Sequence, residues 1–250
     1  MDLGIEGRTA LVMGASRGIG KGIAGALARE GARVAISSRS EESLRAAADD
    51  IDGEVQTFPA DTGDLDRLAR LPGEVAEALG PVDILVANTG GPPGGGALDN
   101  SLQEWEEAFR SLVLATRVLV EGVLPGMKER GWGRIVNVAS SSIREPIAHL
   151  TLSNANRMAA LGFLETLADE IAGEGITVNT VATGMFATDR LADGHGSLES
   201  AEAAAKERIP AKRLGQPSEY GDLVAFLCSE RAAYLTGAVI PLDGGLLRSV

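Results

Sequence analysis

Short apolar runs alternate along this chain with longer stretches whose apolar positions recur every three or four residues. The runs cover residues 9–13, 33–37, 55–59, 83–87, 134–139, 176–182 and 238–241. Between them lie the helix-periodic stretches 18–30, 41–50, 64–79, 102–130, 152–174 and 217–229. An uninterrupted apolar run suits a strand buried on both faces, and strands alternating with helices predict a parallel sheet. The pattern therefore predicts an α/β fold, doubly wound, with helices on both faces of the sheet and right-handed crossovers. The Pro-Pro-Gly-Gly-Gly cluster at 92–96 is too short for a linker and reads as a loop. A single domain over residues 1–250 is expected.

Composition narrows the class of partner. Lys and Arg number 23 against 35 Asp and Glu, a formal net charge of −12, which argues against nucleic acid or an anionic membrane surface. No apolar run approaches the roughly 18 residues of a membrane span. Cys228 is the single cysteine, so no intrachain disulfide forms. With no basic, apolar leader at the N-terminus, a cytoplasmic location is expected. His149 and His195 are isolated, and no grouping has metal-ligand spacing, so no metal is expected.

The chemistry starts at Gly14-Ala-Ser-Arg-Gly18-Ile-Gly20, between the first predicted strand and the first predicted helix. A glycine turn that opens a helix lets backbone N–H groups and the helix dipole face a phosphate. The spacing is G-x-x-x-G-x-G rather than the G-x-G-x-x-G of the dinucleotide fingerprint. The second strand ends in Ser37-Ser-Arg39 with no acid, and Arg39 suits a 2′-phosphate where an acid would suit a bare ribose. Arg17 is placed to close on the same phosphate, since a guanidinium makes paired bonds to oxyanions. NADP(H) is the expected cofactor. Asp61 follows the third strand, where an adenine amino group would be met, and Asp64 reads as a helix cap.

Gly14, Gly18 and Gly20, then Asp61, Asn88-x-Gly90, the run Gly-Arg-Ile-Val-Asn-Val-Ala-Ser140, Val-Asn179-x-Val-x-x-Gly184 and the closing Asp243-Gly-Gly together resemble the short-chain dehydrogenase/reductase family. Within it the chain is most similar to 3-oxoacyl-carrier-protein reductases. The resemblance implies a Rossmann-type, seven-stranded parallel sheet with the dinucleotide across the strand C-termini. It implies a cofactor site of Gly14, Ser16, Arg17, Gly18, Ile19, Gly20, Arg39, Asp61, Thr62, Asn88, Gly90, Arg157, Gly184 and Thr188. It also implies a small-molecule or acyl-thioester substrate and a homotetramer or dimer. Its contact would run along the two long helices, where Leu112, Leu114, Leu119, Leu161, Phe163, Leu164 and Leu167 face either a partner or the sheet.

The family reduces carbonyls with a tyrosine acid, a lysine four residues on, a serine and an asparagine. Matched position by position, the serine is Ser140, with Ser141 and Ser142 as neighbours. The tyrosine and lysine positions hold Ser153 and Arg157, and the asparagine position holds Leu112 or a near neighbour. Met13 and Thr183 stand where a threonine and a proline are usual, the second loosening its loop. Ser153 and Arg157 are i and i+4, on one helical face. Serine is a weaker acid than a phenol, and a guanidinium does not shuttle protons. Water, His149, Asn154 and Asn156 are further candidates for the proton path. Thr188 matches a threonine that touches the nicotinamide amide, residues 189–208 read as a helix-prone lid, and the 91–96 loop as a pocket wall. Two readings stay open. One is an NADP(H)-dependent oxidoreductase of a carbonyl or conjugated carbonyl with catalytic Ser140, Ser153 and Arg157. The other is a nucleotide-binding homologue, catalytically impaired, acting as a sensor or oligomer partner.

Overall fold

The computed structural model describes residues 1–248; Ser249 and Val250, at the end of the expected domain, lie outside them. Seven strands form one sheet: β1 (Thr9–Met13), β2 (Arg33–Ser37), β3 (Val55–Thr57), β4 (Val82–Ala87), β5 (Gly133–Val138), β6 (Ile176–Thr183) and β7 (Val239–Leu242). Their order is β3-β2-β1-β4-β5-β6-β7, and every neighbouring pair is parallel. The strand order reverses between β1 and β4, and the crevice outside the carboxyl ends there is where open α/β sheets bind ligands.

Helices α1 (Gly18–Arg29), α2 (Glu41–Asp49), α3 (Leu65–Leu79), α4 (Leu102–Phe109), α5 (Ala115–Arg130), α6 (Thr151–Ile171), α7 (Asp189–His195), α8 (Leu198–Arg208) and α9 (Pro217–Leu227) complete the fold. One face of the sheet packs on α1, α2 and α9 through Ile23, Leu27, Leu44 and Val224. The other packs on α3, α5 and α6 through Leu68, Leu71, Val123 and Leu164. Each such side chain, fully buried, contributes about 1.5–3 kcal/mol.

Several expected elements are corrected. The stretch 102–130 is two helices joined by a π-helical turn, Arg110–Leu114, in which Ala115 N–H reaches back to Arg110 O. Arg110 Nε donates to Gly63 O at 2.8 Å, tying this turn to the loop before α3. The third strand stops at Thr57, short of Pro59, which has no N–H to donate. The lid stretch is α7 and α8 rather than one helix, broken at Gly196 with φ +81°. Asp64 caps α3, accepting from Arg67 N–H at 2.9 Å. Leu119, Leu164 and Leu167 belong to the sheet-facing core, and Leu112 is buried between helices with Val113 and Ala160, so none of these four offers a partner surface. The outward apolar residues of α4 and α6 are instead Leu102, Phe109 and Met158.

Helices α1 and α9 approach each other through glycine. A β-carbon at Gly221 would overlap Gly22 O and lie 2.8 Å from Ala26 Cβ, whereas one at Gly73 on α3 meets nothing. Alanine is the better helix former by roughly 1 kcal/mol. Gly73→Ala is therefore expected to stabilise by up to about 1 kcal/mol, and Gly221→Ala to destabilise by about 1–3 kcal/mol, because the helices must separate. Urea unfolding of the two variants beside the parent checks the opposite signs.

Candidate active site

The glycine turn holds its shape through its neighbours. Gly14 and Gly18 have φ of +60° and +55°. A β-carbon at Gly20 would overlap Gly14 O, so the turn closes only without a side chain there. Asn88 Nδ2 donates to Gly14 O at 3.3 Å, which supplies a side-chain tie to the turn that Met13 does not. Helix α1 starts at Arg17 with no side-chain cap and no acid in its first turn, leaving its first N–H groups directed at the crevice. Ser16 and Ile19 are half-buried beside it.

One hydrogen bond joins this turn to the end of β2: Ala15 N–H donates to Ser37 O at 3.1 Å. Ser37 and Ser38 keep buried hydroxyl oxygens without a partner there, and Arg39 is exposed just beyond them. Orphaned buried hydroxyls beside an uncapped helix start fit an anionic ligand group. The expected adenine contact, Asp61, is exposed, and its Oδ1 accepts from Gly63 N–H at 2.8 Å. That turn holds half-buried Thr62 in place.

The strand ends beyond β4 and β5 converge on Arg157. Its Nη1 donates to Val138 O at 3.0 Å, Nη2 to Gly90 O at 3.2 Å and Nε to Ser153 Oγ at 3.1 Å. One side chain from α6 thus fastens the C-terminal end of β5 to the loop that follows β4. Burial lowers the Arg157 pKa to about 10, with Arg190 contributing, so the group stays cationic at neutral pH. Ser153 is 7% exposed. It accepts from Arg157, so its own O–H remains a donor. Ser140 is half-buried at the end of β5, and its Oγ accepts from Ser142 N–H at 3.1 Å.

Other expected participants serve the backbone. Asn154 bonds Ile147 through both amide atoms, and Asn156 Nδ2 donates to Leu152 O at 2.9 Å, one turn back on α6. His149 is exposed with φ +58°, and its carbonyl accepts from Gly95 N–H at 2.8 Å, pinning the 91–96 loop to the start of α6. Thr188 caps α7, accepting from Leu191 N–H at 3.3 Å. Gly184 packs against Asp243 and donates to Leu242 O at 3.0 Å. The neighbouring Thr183 is fastened, not loose: its hydroxyl pairs with that of Tyr220 at 2.9 Å. Tyr220 is fully buried, which pushes its phenol up and out of a proton-donor role. Burial likewise pushes the Cys228 thiol up to about 12. Among the described residues no cluster of three or more His, Cys, Asp or Glu side chains is placed for a metal, and no helix is long and apolar enough to cross a membrane.

Two features of the crevice had no counterpart in the motif reading. Arg17 Nη1 lies 3.4 Å from Asp189 Oδ2, bridging the glycine turn and α7. Arg190, the next residue, lays its guanidinium against Gly91. Its place two residues past Thr188 was the available signal.

The enoyl-(acyl carrier protein) reductase family matches residues 14–247. The chain is 34% identical to the 3-oxoacyl-[acyl-carrier-protein] reductase FabG of Vibrio cholerae, over 98% of this chain and 99% of that one. It is 33% identical to dehydrogenase/reductase SDR family member 4 of Sus scrofa, over 96% and 88% respectively. Among solved structures it superposes on L-sorbose reductase of Gluconobacter frateurii, complexed with NADPH and L-sorbose, with a TM-score of 0.95, 30% identity and complete coverage of both chains. The sheet order, the glycine turn and these matches agree: the chain belongs to the short-chain dehydrogenase/reductase family.

Proposed function

We propose that this single-domain protein is an NADP(H)-dependent oxidoreductase, similar to 3-oxoacyl-carrier-protein reductases, that reduces a carbonyl or a conjugated carbonyl with an atypical proton donor. The observation that carries it is the Arg157 clamp, a fixed cation beyond the C-terminal ends of the central strands β4 and β5 with Ser153 bonded to it. Gly14, Ser16, Gly18, Ile19 and Gly20 would hold the pyrophosphate, Arg17, Ser38 and Arg39 the 2′-phosphate, Asp61 and Thr62 the adenine end. Asn88, Gly90, Gly184 and Thr188 would line the nicotinamide end. The exposed Arg39 at the end of β2, with no acid beside it, supports the phosphorylated nucleotide over its bare form.

When bound, NADPH supplies the hydride that goes to the substrate carbon. The chain's own residues manage the oxygen. Three of the five N–H donors of Arg157 are engaged internally, leaving two for a developing negative charge. Ser140 and Ser153 add hydroxyl donors. With a conjugated carbonyl the hydride goes to the β-carbon, the charge gathers on the oxygen that these groups hold, and water protonates the α-carbon. This route needs no phenol at Ser153. The same helices α4 to α6, with Phe109 and Met158 outward, are the proposed contact of a homodimer or tetramer.

Fluorescence titration is expected to show tighter binding of NADPH than NADH, and Arg39→Ala to narrow that preference at least tenfold. Equal affinities would remove the 2′-phosphate assignment. Oxidation of NADPH is to be followed with β-ketoacyl thioesters, diketones, quinones and enones. Ser153→Ala is expected to lower kcat roughly 10²-fold, the range for removing one hydrogen-bond donor to a developing oxyanion. Tight NADPH binding with no turnover of any of them would select the catalytically impaired homologue instead. Ser153→Tyr combined with Arg157→Lys is expected to reduce the native activity and to raise simple ketone reduction.

A further inference from the structure

The Gly90-Gly91 step carries a guanidinium on each side. Arg157 Nη2 donates to Gly90 O at 3.2 Å. Arg190, in the first turn of α7, covers Gly91 so closely that a β-carbon there would overlap its Nη2 and lie 2.9 Å from its Nε. The two cations sense each other, since Arg190 is among the causes that lower the Arg157 pKa.

Neither has an acid. Among the described residues no carboxylate lies within ion-pair distance of either guanidinium. The bonds that Arg157 donates go to neutral oxygens. Asp189, beside Arg190 in the chain, is directed to Arg17. Like charges held side by side disfavour each other, and this chain has 35 carboxylates to offer 23 cations. An unneutralised pair beyond the C-terminal ends of the central strands of so acidic a protein is a local inversion of sign, and it favours an anion between its members.

We infer that Arg190 binds a carboxylate of the substrate next to the reducible carbonyl that Arg157 holds, so that the substrates are small 2-oxo acids and their 3,4-unsaturated relatives. This rests on the reductase reading and narrows it. Arg190 takes the carboxylate in a two-point contact. The free N–H donors of Arg157 and the hydroxyl of Ser153 take the adjacent keto oxygen. A carrier-bound thioester does not meet this geometry, because its phosphate lies at the far end of the pantetheine arm, away from the carbonyl.

The test uses the full chain loaded with NADPH and two matched pairs: 2-oxobutanoate with its methyl ester, and trans-4-phenyl-2-oxobut-3-enoate with its methyl ester. Calorimetry reads binding and NADPH absorbance reads turnover. In at least one pair the acid is expected to bind roughly 10- to 100-fold tighter than the ester. Arg190→Ala is expected to abolish that ratio and Arg190→Lys to retain part of it, the change falling mainly on KM. No acid preferred over its ester in either pair, or a preference that survives Arg190→Ala, overturns the inference. So does a loss of NADPH affinity as the sole effect of Arg190→Ala, which would assign Arg190 to the cofactor. Acid-selective, Arg190-dependent binding without turnover upholds the anion site and rejects the reductase reading instead.

Discussion

A parallel sheet ends in carbonyl groups that no further strand satisfies, and in this protein one guanidinium collects such a carbonyl together with one from the adjoining loop. Arg157 bridges the end of β5 and the loop after β4 and bonds Ser153 on its own helix. That arrangement decides where α6 lies, how far the strand ends spread, and which hydroxyl keeps a free proton. A lysine has three donors on a flexible stem, whereas the planar fork of arginine holds fixed directions. The site is therefore stiffer at this point than an ammonium would make it, and its cation is a permanent fixture rather than a proton carrier.

The same economy of contact appears around the nucleotide crevice. Glycines at 14, 18 and 20 let the turn fold onto itself, Asn88 reaches across from β4, and the Ala15–Ser37 bond brings the β2 end alongside. Every one of these ties uses backbone carbonyls or amides. Among the described residues, the polar groups left over beside the turn are the uncapped first N–H groups of α1 and the buried hydroxyls of Ser37 and Ser38.

The fold was largely legible in the sequence, because buried parallel strands are apolar without interruption and their spacing survives in the residues 9–13, 33–37 and 176–182. What escaped was set by geometry that periodicity does not encode. The π-helical turn at Arg110–Leu114 keeps helical composition throughout, so 102–130 reads as one helix. Leu119 and Leu164 fit a sheet face or a partner face equally until their neighbours are known. At the site, the positions of Ser153 and Arg157 were legible from the family resemblance, matched position by position, but the carbonyl partners of Arg157 lie 19 and 67 residues away in sequence. The role of Arg190 was hidden for the same reason: its place after Thr188 could be read, but only the folded chain brings it onto Gly91.

Thr183 and Tyr220 carry a last lesson. A proline at 183 would stiffen its loop by its own ring, independent of anything else in the molecule. Here the job is shared between a threonine and a tyrosine from α9, with Phe186 edge-on against the tyrosine ring. Removing either hydroxyl strands the other in the interior, at about 1–3 kcal/mol. Through a lineage, then, neither position is free to drift alone: a return to proline at 183 suits a phenylalanine at 220, and the two changes travel together.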